Sequence, residues 1–347
     1  MEDTEVFNYE YEDYNNYTYT EDPDIDEQPV HKHQSTCFSE VICVSLLIVN
    51  LVIFLLGFFG NAVVIWIAGF RMKRTVNTTW YLSLAISDFI FCACLPLSMT
   101  NMVMDDWIFG LFMCKVTSCV MFVNMFSSIF LLVVISVDRC VSVMFPVWAQ
   151  NHRSIKMASV VVGVAWVLAV ALSVPSAIYR QEVTHFGRTS CFNSYPPGGH
   201  QIIALTRFLA GFIAPFLFII VCYSVIIFKL RNNRMTKSTK PFKVMTALVA
   251  AFFICWMPYH VFVLLEVNHL SLSHHVLVNG LKFGTVMAAA NSFLNPVLYV
   301  FMGNDFRQTF RSSLLRKMEN AMGEEPRTIS RYLSRSSSMD TRASTHI

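Results

Sequence analysis

Residues 41–68 read VICVSLLIVNLVIFLLGFFGNAVVIWIA, 28 residues in a row without a charged side chain. A helix rises about 1.5 Å per residue, so about 20 apolar residues cross a hydrocarbon core of about 30 Å. Six further runs of this kind follow, at 80–103, 114–143, 155–178, 202–228, 242–265 and 276–302. They are too long and too continuous for the alternating strands of about 10 residues that build membrane barrels. The whole chain of 347 residues is 54% hydrophobic, with 30 Phe, and 14% charged. Soluble domains carry about 25% charged residues, and this balance on a water-facing surface would expose large apolar patches. The connections are short, which places all seven spans in one bundle. The expected fold is an all-α membrane protein, a seven-transmembrane-helix bundle over 41–302.

Lys and Arg near the span ends set the orientation. Arg71, Lys73 and Arg74 follow the first span, and Arg153 and Lys156 follow the third. Lys229, Arg231, Arg234, Lys237, Lys240 and Lys243 lie between the fifth and sixth, and Arg307, Arg311, Arg316 and Lys317 follow the seventh. The opposite loops carry few: Arg180, Arg188 and Lys282, with Lys115 at a helix start. The N-terminus is therefore expected outside, the C-terminus in the cytoplasm and the chain in the plasma membrane. Residues 1–40 hold twelve acidic residues and one Lys, with no apolar segment of the kind a cleaved signal needs. The first span then acts as the signal anchor.

The acidic outer tail, 1–40, is not expected to fold alone. It carries a glycosylation sequon at Asn16. Tyr9, Tyr11, Tyr14, Tyr17 and Tyr19 stand among acids, a setting for sulfation or simply a solvated tail. A second sequon, at Asn77, faces the cytoplasm and should stay bare. Residues 303–318 alternate Phe306, Phe310, Leu314 and Leu315 with basic residues, the pattern of a short amphipathic helix lying on the membrane lipids. Residues 319–347 form a polar cytoplasmic tail. Ser330, Ser334, Ser336, Ser337, Ser338, Thr341, Ser344 and Thr345 are its candidate phosphoacceptors, each able to gain about −1.5 to −2 charges.

Of ten cysteines, Cys92, Cys94, Cys119, Cys140, Cys222 and Cys255 lie inside spans and read as buried thiols. Cys114, at the outer end of the third span, and Cys191, in the second outer loop, share the oxidising face, where a disulfide persists. That bridge would close about 75 residues, worth roughly 4 kcal/mol. Cys37 and Cys43 have no partner in the third outer loop, which contains no Cys.

Short motifs recur at ordered positions along the spans: Gly60-Asn61, Leu84-Ala85-Ile86-Ser87-Asp88, Asp138-Arg139-Cys140 with Pro146, Trp166 with Pro175, Pro215 with Tyr223, Phe252 with Cys255-Trp256-Met257-Pro258, and Asn295-Pro296-Val297-Leu298-Tyr299. As a set they resemble the rhodopsin-like G-protein-coupled receptors over the whole membrane portion. Read physically, Asp88 is a lone acid deep in a span, where an ionisable group costs at least about 2.5 kcal/mol and is retained for function. Asn124, Ser128, Asn291 and Asn295 fall where they can complete an oxygen cage around it. The resemblance implies that this cage holds a sodium ion as an allosteric ligand; a protonated Asp88 in a dry hydrogen-bond network is the other reading. No other metal and no cofactor is expected. Asp138 and Arg139, adjacent at the inner end of the third span, are expected to pair at rest. The resemblance implies that Arg139 is then freed to meet the G protein and Tyr223. Trp256 with Phe252 beside the Pro258 kink, and Tyr299 beside the Pro296 kink, are the expected moving parts.

Two ligand classes are set aside by absences. A retinal lysine seven residues before Pro296 is replaced by Ala289, and an amine-binding acid eighteen residues before Arg139 by Met121. Arg207 lies eight residues before Pro215 in the outer third of its span, where a charge requires a partner. That partner is either a ligand carboxylate, which a guanidinium fork matches, or Glu266 within the protein. Trp107 and Phe109 stand at the pocket mouth. With Met121, Asn124 and Trp256 these make up the expected ligand-binding set. The strings at 145–154, 190–193, 239–243 and 299–306 are similar to the chemoattractant branch, which includes formyl-peptide, anaphylatoxin and chemerin receptors. The resemblance implies a secreted agonist such as chemerin whose C-terminal segment enters the bundle, Gi/Go proteins, arrestin and leukocyte chemotaxis. A transporter would want more buried charges than Asp88 alone; a scavenging receptor would not need Asp138-Arg139. The histidines, His31, His33, His274 and His275 among them, are placed in tails and loops without zinc-ligand spacing. Neither a catalytic constellation nor a nucleic-acid partner is expected.

Overall fold

The computed structural model describes residues 41–185, 187–232, 240–268, 273–302 and 308–312, all within one compact unit, Thr36–Ile347. Asn16, the tail tyrosines, Cys37 and the phosphoacceptors lie outside these residues. So does the amphipathic segment 303–318, apart from helical residues 308–312.

The first span is α1 (Val41–Trp66), which runs on through a π-helical turn, Ile67–Arg71. It is followed by α2 (Val76–Met104), α3 (Gly110–Met144), the short α4 (Pro146–His152) and α5 (Ile155–Ile178). A hairpin comes next, β1 (Arg180–His185) and β2 (Arg188–Asn193). The fifth span is α6 (Gly199–Phe208), a π turn at Leu209–Ile213 and α7 (Ala214–Asn232); α8 (Lys240–Val267) and α9 (His274–Met302) complete the bundle. Among the described residues six helices are long and apolar enough to cross a bilayer. The seventh crossing is α9, long enough at 29 residues but diluted by polar side chains that it turns inward: Asn291, Ser292 and Asn295 are buried. In lipid the apolar side chains face outward and the polar ones collect in the interior. Only 17% of the most apolar window of α1 is buried inside the protein, against 61% for α3; α3 is the central post.

Helix ends follow from local chemistry. Thr75 caps α2: the Thr78 amide donates to its Oγ1 at 3.2 Å, and its own amide donates to Thr78 Oγ1 at 2.7 Å. Ser154 caps α5 through the Met157 amide. Pro146 occupies the first turn of α4, where its missing N–H costs nothing. Pro96, Pro175, Pro258 and Pro296 sit inside helices.

The one sheet among the described residues is a two-stranded hairpin in the connection after α5, and the fold is the expected helical bundle. Its strands pair antiparallel, with Glu182 opposite Cys191. Cys191 bonds to Cys114 across 77 residues, the expected disulfide. The first outer loop is sewn to β2: the Trp107 amide donates to the Thr189 carbonyl at 2.7 Å, the Thr189 amide to Asp106 Oδ1 at 2.7 Å, and Arg188 pairs with Asp105 at 2.7 Å. Cys43 is also disulfide-bonded. The six span cysteines are free thiols.

Candidate functional site: an outer arginine pocket, a buried acid and an inner arginine

Arg207 stands on the last full turn of α6, just before the π turn, and is 6% exposed. Its Nη2 donates to Ser176 Oγ on α5 at 2.8 Å, and its Cζ lies 3.6 Å from the centroid of the Phe122 ring on α3. Its Nε is buried without a partner. Glu266 does not pair with it. That carboxylate lies 3.6 Å from His200 Nε2, both side chains about a third exposed. The internal ion pair open at the sequence level is therefore not formed, because α6 presents His200 and Arg207 at different depths and Glu266, near the end of α8, meets the shallower one.

A second cation stands with Arg207. Arg180, the first residue of β1, directs its Nε to within 3.1 Å of Cys191 Sγ. Burial pulls its guanidinium below its usual value; the like charge of Arg207 acts the same way, against the Tyr195 and Tyr259 hydroxyls. Sequence reading counted Arg180 only as a loop charge. Its position directly after the fourth span and a short hairpin from Cys191 was the available signal. His260 was also missed. It is 2% exposed, ringed by Phe208, Phe212, Tyr259 and Trp256 at 5.2–6.3 Å between ring centroids. His274 and His275, placed in a loop from sequence, begin α9.

Of the other expected pocket residues, Met121 is half-buried and Asn124 and Trp256 are buried. Trp107 is 4% exposed; its indole Nε1 donates to the Gly110 carbonyl at 3.0 Å and its ring meets Phe109 edge-on at 5.2 Å. Its polar atom is thus spent on fixing the loop.

Asp88, on α2, is fully buried. Asn124 Nδ2 donates to its Oδ1 at 2.8 Å and Asn295 Nδ2 to its Oδ2 at 2.7 Å. Asn291 and Ser128 are buried nearby on the same helices; the Ser128 hydroxyl, one turn after Asn124, has no partner. Ser87, Ser127 and Ser292 join the network, with Ser87 Oγ 2.6 Å from Ser127 Oγ and 3.2 Å from Asn124 Nδ2, and Ser292 donating to Asn124 Oδ1 at 3.4 Å. Asn61 Nδ2 donates to the Ser292 carbonyl at 2.8 Å, tying α1 to α9. The oxygens gathered here and the orphaned Ser128 hydroxyl are the donor set a small hard cation takes.

At the inner end, the pairing of Asp138 with Arg139 is not what forms. Asp138 takes Arg153 in a two-point bridge, Nε to Oδ1 at 2.7 Å and Nη2 to Oδ2 at 2.9 Å. Neighbouring residues on a helix point about 100° apart and do not face each other. Arg153, at the end of α4, is brought in by the turn that Pro146 starts. Arg139 Nη2 donates to Asn77 Oδ1 at 2.6 Å, and Arg153 Nη2 to the same oxygen at 2.5 Å. Asn77, noted in the sequence only as an unused sequon, thus joins both arginines. Tyr223 is half-buried within hydrogen-bonding reach of Ser136 and Thr246. Phe252 and Trp256 stack at 6.0 Å, and Tyr299 is buried against Tyr81 at 4.8 Å between rings. Pro258 and Pro296 lie next to these aromatic residues on α8 and α9.

The profile of the 7 transmembrane receptor (rhodopsin family) matches residues 60–299. Chemerin-like receptor 1 from Homo sapiens is 42% identical over 337 residues, 90% of each chain, and its Sus scrofa counterpart 42% identical over 343 residues, 93% of each. The C3a anaphylatoxin chemotactic receptor of Danio rerio is 42% identical over 295 residues, 84% of this chain and 81% of that one. With the motifs on their expected helices and these likenesses running nearly end to end, the chain belongs to the rhodopsin family of seven-transmembrane receptors, in its chemoattractant group.

Proposed function

We propose that the chain is a receptor for chemerin or a closely similar secreted protein, whose C-terminal carboxylate is bound between Arg207 and Arg180. The observation that carries this reading is the buried guanidinium of Arg207, with the half-buried Arg180 as a second cation, neither neutralised by an acid among the described residues. A charge so placed is retained for a partner, and a carboxylate matches its donors. The names of the relatives support chemerin as the source. The anaphylatoxin receptor likeness favours a second source, a C3a-like protein, whose terminus would use the same donors.

On this reading the outer N-terminus, glycosylated at Asn16, collects the agonist through its acidic charge. Binding beside Trp256 shifts α8 about Pro258, Arg139 leaves Asn77, and a Gi/Go protein is engaged. Phosphorylation of the tail at Ser334, Ser336, Ser337, Ser338, Thr341, Ser344 and Thr345 then recruits arrestin. The outcome in cells is chemotaxis of leukocytes. Asp88, Asn124, Ser128, Asn291 and Asn295 hold sodium in the resting receptor.

The test uses a C-terminal chemerin peptide as the free acid and as the amide. Arg207→Ala should weaken the free acid by about 10- to 100-fold, the worth of a hydrogen bond to a charged group. The amide should lose far less. Equal losses for both forms would remove the carboxylate from the pocket.

A further inference from the structure

We infer that Phe122 holds Arg207 in place without occupying it, and so sets the receptor's preference for a ligand that ends in a negative charge. The inference rests on the carboxylate reading above and adds the residue that makes it possible.

Arg207 needs stabilising, since a cation inside a span is costly. The common solution is an internal acid, but here Glu266 and Asp88 are committed elsewhere. Glu266 faces His200, and Asp88 accepts from two amides. Phe122 takes that place instead. Its ring is 5% exposed, its centroid lies 3.6 Å from the guanidinium carbon, and the Tyr259 ring backs it at 6.1 Å.

The two kinds of partner use different parts of the guanidinium. Its five N–H groups lie in one plane and point outward from the edge. An acid would stabilise the charge by accepting from that edge, in competition with any ligand. A ring stabilises it through the face of the plane and consumes no donor. Ser176 takes one N–H, and the Nε–H remains without a partner in a buried site. Holding is thus assigned to the face and binding to the edge. Phe122 is a positioning residue here, since it acts through Arg207.

The experiment measures the dissociation constants of the free-acid and amide chemerin C-terminal peptides on surface-displayed receptor, and reads their ratio. A ratio cancels differences in expression and in general pocket integrity. Wild type should prefer the acid by about tenfold or more. Phe122→Tyr keeps the ring and should hold the ratio within about twofold. Phe122→Leu keeps the apolar volume but loses the quadrupole, and should cut the ratio several-fold; Phe122→Met carries the same expectation should the Leu variant fail to reach the surface. Phe122→Asp should bring the ratio to about one, because an acid beside the guanidinium neutralises the charge that favours the ligand's carboxylate. Unchanged ratios in the Leu or Met variant and in the Asp variant would overturn the role of Phe122 while leaving the carboxylate reading intact. A ratio of about one in wild type would overturn that reading and this inference together.

Discussion

At the residue scale, the inner end of α3 depends on one amide oxygen. Asn77 Oδ1 receives both Arg139 and Arg153, and Arg153 in turn holds Asp138 at two points. If Arg139 must leave this oxygen to engage a G protein, the contact biases the receptor toward rest. Hydrogen bonds to charged groups are worth about 1.5–3 kcal/mol, and about 1.4 kcal/mol is tenfold in an equilibrium. Asn77→Ala should therefore raise agonist-independent nucleotide exchange by roughly tenfold at matched surface expression, and Asn77→Asp should lower it. Basal exchange that stays flat in both variants would disconnect Asn77 from the switch. The same scale holds a test of the buried acid. Asp88→Asn should abolish the effect of sodium, against an equal concentration of potassium, on agonist affinity in isolated membranes. A sodium effect that survives the substitution would place the ion elsewhere.

At the element scale, the outer loops act as one part. The hairpin β1–β2 is held to α3 by Cys114–Cys191 and to the first outer loop by Trp107, Asp106 and Asp105. A cross-link spanning 77 residues is worth up to about 4.5 kcal/mol in the chain-entropy treatment. Because Arg180 begins β1 and contacts Cys191, Cys191→Ser should lower thermal stability and also weaken the free-acid peptide more than the amide. Stability loss with an unchanged acid preference would separate the hairpin from the pocket. The α8–α9 contact is tight beside Pro258. A Cβ on Gly284 would stand 2.8 Å from the Tyr259 Cα and 2.9 Å from its backbone nitrogen, atoms that cannot turn aside. Gly284→Ala should thus cost about 1–3 kcal/mol, seen as a lower melting temperature in detergent. A melting temperature equal to wild type would mean that α8 and α9 separate without cost.

At the scale of the whole molecule, the bundle links an outer pocket to an inner arginine through α3, which carries Phe122, Asn124 and Arg139 on one rod. The outer network is anchored by polar contacts to α5 and the hairpin, the middle by Asp88 to α3 and α9, the inner by Asn77 and Arg153. On the proposed function, signalling is a two-state shift in which α8 moves past this rod. The orientation is checked directly. An epitope placed before Asn16 should be stained by antibody on intact cells, and one placed after Thr345 only on permeabilised cells. The reverse pattern would invert every assignment of pocket and coupling face.

Much of this was legible in the chain. Seven crossings follow from apolar runs alone, since lipid offers backbone groups no partner and forces each long run into a helix. Asp88, the prolines and the adjacent Asp138 and Arg139 stood out because charge and broken hydrogen bonds are costly in a bilayer. Cys114 and Cys191 were readable because the charge bias of the loops placed both on one side of the membrane. What only the tertiary structure decided is who meets whom. Arg139 finds Asn77 62 residues away, Asp138 finds Arg153 15 away rather than its neighbour, and Arg207 finds a phenyl ring rather than Glu266. Those choices depend on how each helix is rotated and crossed by packing, and on π turns and a hairpin that no hydropathy pattern encodes.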